Sequence, residues 1–483
     1  SLLTSSQRKR LEEAKKSDKP IFIVTEEEAK AKESKHSKRM STWKFKAINV
    51  RDFAFATSRK FIWDAQNTNV GGKDVLCMSY YPKEGNPLWE RYSTKLVAHT
   101  VQTYSKYTVD YPYPVAISVH SKSIGMEYPM ICFNGGRPEA DGTYSERTKY
   151  GMWGVIIHEV GHNFFPMIIN SDERQWTWMD EGLNTFVQYL TEQEWERGYP
   201  SRRGPAYKIA DYMKGDKSNI SPIMTNSESI WQFGNNAYGK PATALNILRE
   251  TIMGRELFDY AFKTYCERWK FKHPTPADFF RTMEDASAVD LDWFWRGWFY
   301  STEHVDISLE SVQLFQLNTQ NPEIEKAFSK AQADNRDNFK GDIENVTSIK
   351  ETINEKDSNI DDFYAKRDLY KVDKLDEKEY KEFQVRNSEK LSLLNADNYY
   401  YELNFKNIGG LVMPLIIRIS YTDESSEIIR IPAEIWRRKE VNVSKVLILD
   451  KEVSSFRLDP LLETADTDLY NNDKIVDPFV GTN

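Results

Sequence analysis

The sequence predicts an α+β protein: a mainly helical domain with a small sheet, then a charged linker, then a small β-sandwich-like domain. Three observations carry this. Between residues 150 and 300 apolar residues recur at helical spacing and no strand pattern interrupts them. Residues 321–390 hold 32 charged side chains in 70 and few large apolar ones, the composition of a solvated helical linker or insertion. Beyond residue 396 β-branched and aromatic runs return, separated by the turn-like NIGG and TDESS.

Along the chain, residues 1–40 are polar around one apolar stretch at 21–24. Residues 42–58, TWKFKAINVRDFAFATS, alternate as a half-buried strand does. Residues 95–107 read as a helix through Leu96, Val97, Thr100 and Tyr104, and 115–120 and 130–133 as strands bounded by Pro and Gly. A mostly buried helix is expected over 150–169. The next runs from about 180 to 195, where Leu183, Phe186, Val187 and Leu190 fall at i, i+3, i+4 and i+7. Further helices are expected at 239–252, 255–268, 275–283 and 290–300, the aromatic run at 293–300 being a packing face.

At 483 residues the chain has material for roughly three domains. Sixty-five Lys and Arg face 73 Asp and Glu, a formal net charge of −8, which argues against a nucleic-acid partner. No apolar run approaches the ~18 residues of a membrane span. Cys77, Cys132 and Cys266 are too few and too scattered for a disulfide framework or a cysteine-based metal site. The first residue is Ser1 and no signal pattern follows it, so the natural N-terminus is expected to be missing. Oligomeric state stays open. Periplasmic or secreted location is expected over cytoplasmic.

The informative residues are His158-Glu159-Val160-Gly161-His162. On a helix, positions i and i+4 share one face. Two imidazoles there can grip one zinc ion, with Glu159 beside them. Glu181, nineteen positions after His162 and near the start of the next helix, is the candidate third ligand. Taken alone it also reads as a carboxylate at a helix N-terminus. Joined to the pentapeptide it gives a His₂Glu set with one open position, the layout of a catalytic rather than a structural zinc. Thr185, one turn on, reads either as a residue orienting a ligand or as an ordinary helix threonine. Asp180 reads as a helix cap or as part of the site's water network.

This pattern resembles the gluzincins, the thermolysin-like zinc peptidases, and within them the aminopeptidase N and leukotriene A hydrolase family. Gly125-Met126-Glu127-Tyr128-Pro129 stands where that family has Gly-Ala-Met-Glu-Asn, and Tyr238-Gly239-Lys240 where it has Tyr-x-Lys-Gly. Tyr128 replaces the usual Asn, Phe164 a frequent Trp, and Pro241 the Gly of the tyrosine motif. The resemblance covers roughly 45–305. It implies four units: 1–62 as a remnant of the N-terminal β-domain, 63–305 as the thermolysin-like catalytic domain, 306–395 as the charged linker or insertion, and 396–483 as the β-sandwich-like domain and tail.

The resemblance further implies a hydrolase, a zinc-dependent aminopeptidase with one Zn²⁺ per chain, acting on peptides with a free N-terminus. His158, His162 and Glu181 would be the metal ligands and Glu159 the base that activates water. Tyr238 would hold the oxyanion and Glu127 the substrate's amine. Gly125 and Met126 would shape a strand that pairs with the peptide. The alternatives are an endopeptidase on the same site, with Glu127 structural, and a non-catalytic protein-binding relative.

Overall fold

The computed structural model describes residues 3–34, 38, 40–315, 317–393 and 398–476. Its first layer is a six-stranded sheet in the order β1-β2-β3-β4-β6-β5. The strands are β1 (Ile21–Val24), β2 (Ile62–Val70), β3 (Lys73–Tyr81), β4 (Val115–His120), β5 (Gly125–Tyr128) and β6 (Ile131–Asn134). β2 and β3 form a hairpin closing on Val70 and Lys73. Its two-residue turn places Gly71 and Gly72 at positive φ (55° and 78°), the geometry that matches strand twist and favours glycine at both positions. β4 runs parallel to β3 and to β6. β5 returns antiparallel to β6, pairing Gly125 with Asn134 and Glu127 with Cys132, and is the sheet's last strand.

The described part of 1–62, expected as a remnant of an N-terminal β-domain, holds two helices and one strand. Helices α1 (Ser5–Ala14) and α2 (Glu26–Glu33) each begin with a capping box, on Thr4 with Gln7 and on Thr25 with Glu28. Between them β1 adds to the edge of β2. Ala14, Ile23 and Ala29 are buried in the same core as the rest of the domain. The segment 42–58 is not a strand. Phe45, Phe53 and Phe55 instead line a cavity with Tyr80, Ile117 and Ile131, so the segment covers the sheet's face. Both edges of β2, the strand it leads to, are already taken by β1 and β3, and alternation without a free edge gives no ladder.

Helix α3 (Leu88–Tyr107) and helix α4 (Glu146–Gly161), which starts on a Ser145 cap, form the next layer. The helix expected to reach 169 stops at His162, which caps it. Pro166 explains the stop: within a helix its ring would meet the carbonyl of residue 162 and it offers no N–H. The chain then passes through Trp178–Gly182, a π-turn, into α5 (Leu183–Trp195). After the short α6 (Ala210–Met213), a second π-turn, Gly234–Gly239, leads into α7 (Lys240–Ile247). Helices α8 (Arg255–Trp269), α9 (Pro276–Ser287) and α10 (Asp292–Tyr300) complete the bundle. The aromatic run lies on α10 with Phe294, Trp295, Trp298 and Phe299 buried. The three cysteines are free and buried. Among the described residues no helix is long and apolar enough to cross a membrane.

The sandwich contains a three-stranded sheet, β11-β8-β7, and a four-stranded sheet, β10-β9-β12-β13. Its strands are β7 (Ile307–Phe315), β8 (Tyr399–Asn407), β9 (Leu415–Tyr421), β10 (Ser426–Ile431), β11 (Asn442–Leu449), β12 (Val453–Leu458) and β13 (Asp473–Ile475). Here too a boundary moves. Residues 307–315, grouped by composition with the charged segment, form β7 and pair with β8. The charged segment is therefore inserted between two paired strands of the sandwich. It holds α11 (Pro322–Asp334), α12 (Lys340–Ser348), α13 (Ile353–Lys356) and α14 (Lys374–Arg386), in which no described residue is buried.

Candidate metal centre

The site forms where α4 faces the π-turn that precedes α5. His158 Nε2 lies 3.0 Å from Glu181 Oε2 and 3.0 Å from His162 Nε2, and His162 Nε2 lies 3.4 Å from Glu181 Oε2. The outer ring nitrogens fix which ends point inward. Gln188 donates through Nε2 to Gly154 O and to Glu192 Oε1. Its Oε1 is therefore the acceptor 2.9 Å from His158 Nδ1, and that nitrogen carries the proton. His162 Nδ1 donates to the Phe165 carbonyl at 2.8 Å and lies 2.8 Å from Asp180 Oδ1. A carbonyl only accepts, so this nitrogen is protonated too. With each Nδ1 the donor, a neutral ring turns its Nε2 lone pair toward the Glu181 carboxylate, as a metal-bound ring would. Three lone-pair donors at this spacing repel one another unless a cation stands among them, and imidazole nitrogens held from behind by an amide, a carbonyl and a carboxylate are oriented as metal ligands are.

Electrostatics agree with that geometry. Burial works against the Glu181 carboxylate, but the two histidines hold its pKa well below the ordinary range. Burial likewise opposes charge on His162, and Asp180 and Glu181 outweigh it, so its pKa rises in the metal-free protein. Glu159, buried on the same helix, is pushed up to about 7, chiefly by desolvation. Its Oε2 has no partner among the described residues, nor has the Oγ1 of Thr185. Both residues line the cleft that also holds His158 and Tyr238.

Glycines set the closest approaches. A Cβ on Gly125 would stand 2.3 Å from Glu159 Oε1, so β5 lies against the carboxylate only because that residue has no side chain. A Cβ on Gly161 would meet Tyr104 Oη and Asn184 Oδ1, each at 2.3 Å. Tyr104 donates to Asn184 Oδ1, and Asn184 donates to the His158 carbonyl, tying α3, α4 and α5 together behind the histidines. Gly182 accepts Pro241, whose Cγ would stand 2.6 Å from an added Cβ. That contact docks the two π-turns, one carrying Glu181 and the other Tyr238. The proline that departs from the family's tyrosine motif is thus a packing surface for the turn that carries Glu181.

The Tyr238 ring stacks on His158 with centroids 5.7 Å apart. Burial raises the pKa of its phenol, and the Glu181 carboxylate at its hydroxyl raises it further, so the hydroxyl keeps its proton. Glu127, on β5, has a carboxylate oxygen that, with one ligand atom each from His162 and Asp180, forms a group lying within 4.8 Å of one another. Met126 is exposed and Gly125 lines the cleft. Seven of the eight candidate residues therefore lie around one centre, and Met126 stands exposed on β5 between Gly125 and Glu127. Thr185 lines the same cleft but makes no bond to a ligand. The residue that orients His158 is Gln188, which sequence reasoning passed over. Its signal was available: Glu181, Thr185 and Gln188 follow at i, i+4 and i+7. Asp180 was left open and proves to touch His162.

The fold and these donors define the gluzincin arrangement, in which a His-Glu-x-x-His helix is completed by a glutamate beyond it. Residues 92–298 match the Peptidase family M1 domain. The chain is 25% identical over 199 residues to the probable aminopeptidase 1 of Sulfurisphaera tokodaii, a stretch that is 38% of this chain and 25% of that protein. It is 26% identical over 149 residues to the glutamyl aminopeptidase of Bos taurus, covering 30% of this chain and 16% of that one. The chain thus spans a quarter or less of these relatives' length. The crystal structure of Legionella pneumophila aminopeptidase A in complex with aspartic acid aligns with a TM-score of 0.53 over 84% of this chain and 38% of that one, at 11% identity. That likeness is one of fold.

Proposed function

We propose that the chain is a zinc-dependent aminopeptidase that releases the N-terminal residue of peptides. The observation that carries this is the convergence of His158 Nε2, His162 Nε2 and Glu181 Oε2 in one cleft with Glu159, Tyr238 and the end strand β5. Two imidazoles and one carboxylate suit a single Zn²⁺ with a further position open. Bound there, zinc supplies a Lewis acid that polarises a carbonyl and makes water a better nucleophile.

The protein's own groups do the rest. Glu159 Oε2, buried and unpartnered, receives the proton of the attacking water and returns it to the leaving nitrogen. A carboxyl raised to about 7 is suited to both transfers near neutrality. The Tyr238 hydroxyl, kept protonated, donates a hydrogen bond to the developing oxyanion. The edge of β5 pairs with the extended peptide backbone. Glu127 pairs with the substrate's ammonium group. An ammonium nitrogen and the first carbonyl carbon are two bonds apart, about 2.5 Å, so an amine held by Glu127 leaves room for one residue before the reacting carbonyl.

The test is the zinc-loaded protein on matched peptides with free and acetylated N-termini. Release of one N-terminal residue from free peptides, and almost none from acetylated ones, is expected. Equal cleavage of both would make the protein an endopeptidase and Glu127 a strand-end carboxylate.

A further inference from the structure

Arg203 lines the cleft, and the proposed mechanism leaves it unused. Its guanidinium lies over the Tyr238 ring, 4.5 Å from the centroid. It lines the same cleft as Glu159, His158 and Gly125. Burial pushes its pKa below the ordinary arginine value, so it is a partly desolvated cation. Yet among the described residues no carboxylate lies within ion-pairing distance of it and none accepts a hydrogen bond from it. The nearby carboxylates are engaged: Glu181 faces the histidines, while Glu192 accepts from Gln188 and Ser201. Arg249 shows what this chain does with a structural buried arginine. It makes a two-pronged pair with Asp259, at 2.7 and 2.9 Å, and a contact to Glu250 at 2.8 Å. Arg203 is half-buried, lines the cleft and has no such partner.

The direction of the substrate says what reaches it. With the amine at Glu127 and the backbone paired on β5, the peptide advances from Glu127 toward Gly125, antiparallel to the strand. The cleft lined by Gly125, Thr185, Gln188 and Arg203 therefore takes the residues after the scissile bond. We propose that Arg203 is a specificity-determining residue that binds a carboxylate on the leaving-group side. At about 3.3–3.6 Å of chain per residue, the C-terminal carboxylate of a di- or tripeptide comes within its reach, and so does an acidic side chain at the second position. The guanidinium fork matches a carboxylate in two parallel hydrogen bonds. Arg202 adds a second positive charge at the mouth of the cleft.

The inference rests on the aminopeptidase reading, and the experiment separates the two. The zinc-loaded full chain is assayed on Ala-Ala against Ala-Ala amide, and on Ala-Glu amide against Ala-Gln amide. The first pair reads the main-chain carboxylate and the second the side chain. In at least one pair the carboxylate form should be preferred about 10–100-fold in kcat/KM, the scale of a charge-assisted bond in a desolvated site. Arg203→Met should erase that preference, and Arg203→Lys should keep part of it. A wild-type enzyme blind to the carboxylate in both pairs would overturn the anchor. So would a preference that survives Arg203→Met. A fall in kcat equal for both forms would assign Arg203 to stacking on Tyr238 alone. Should Arg203→Met fail to fold, the wild-type ratios and the Lys variant decide. Absence of turnover on every peptide would overturn the aminopeptidase reading, and the anchor with it.

Discussion

Helices α4 and α5 and helices α11–α14 are built from the same local signals with opposite results. Both groups include helices that start on capping side chains, Ser145 for α4, Thr352 for α13 and Asp373 for α14. A cap is worth about 1 kcal/mol and sets where a helix begins. It does not decide what the helix packs against. Helix α4 carries Trp153, Ile156, Ile157 and Val160 into the core, each worth roughly 1.5–3 kcal/mol when buried. Helices α11–α14 bury no described residue. Only the first group can hold side chains to the sub-ångström tolerance that a metal centre needs. Carboxyl groups show the same divide. Asp64 on β2, enclosed with Tyr81 and Thr94 as donors, is pushed up to about 7 by burial. Asp373, half-exposed at the start of α14, is held below its ordinary value by the Asp376 N–H that it caps.

Four substitutions grade this contrast. Glu159→Gln, inside the site, should retain zinc and lose about 10²–10⁴-fold in turnover, read from kcat beside metal content; full activity would remove Glu159 from the chemistry. Asp64→Asn tests burial through pH. A folded pKa near 7 against ~3.9 when unfolded means the native state holds a proton that the unfolded state has shed. Stability from this group is present below pH ~4 and lost as pH rises toward 7, on the order of 2–4 kcal/mol. Denaturant titrations across that window should show a flatter profile for Asp64→Asn. Gly161→Ala forces a methyl group onto Tyr104 and Asn184 and should lower stability by about 1–3 kcal/mol, with weaker metal retention; an unchanged Tm would mean that α3 and α5 yield freely. At the other extreme, Val346→Ser replaces a side chain that is 82% exposed on α12. It should shift stability by less than about 0.5 kcal/mol and leave kcat alone.

What the sequence made legible follows the range of each signal. His158, Glu159 and His162 lie within one turn of one helix, where spacing is geometry, and they were readable outright. Glu181 needed the next element as well, and Tyr238 and Glu127 needed the resemblance. The π-turns at 178–182 and 234–239 were not foreseen, because a local extra residue is invisible to a 3.6-residue average. Strand β1, four residues long, is too short to show a period. The β2–β3 hairpin was announced by Val70-Gly71-Gly72-Lys73 and was missed in favour of the more conspicuous alternation at 42–58. Arg203 carries no local signal. Its place above Tyr238 is a tertiary fact, created where a loop before α6 meets the second π-turn.

The insertion between β7 and β8 has a mechanical meaning. Phe315 and Tyr400 are ladder partners, so both ends of the charged segment are clamped at neighbouring positions, about 5 Å apart. The segment is a side branch. Force passing from the helical bundle to the sandwich runs through β7 and bypasses residues 317–393. With its ends already fixed, doubling the branch's length changes the free energy of closing the loop by only about 0.6 kcal/mol. The branch can therefore be shortened, lengthened or exchanged while the spacing between Tyr238 and the sandwich stays as it is.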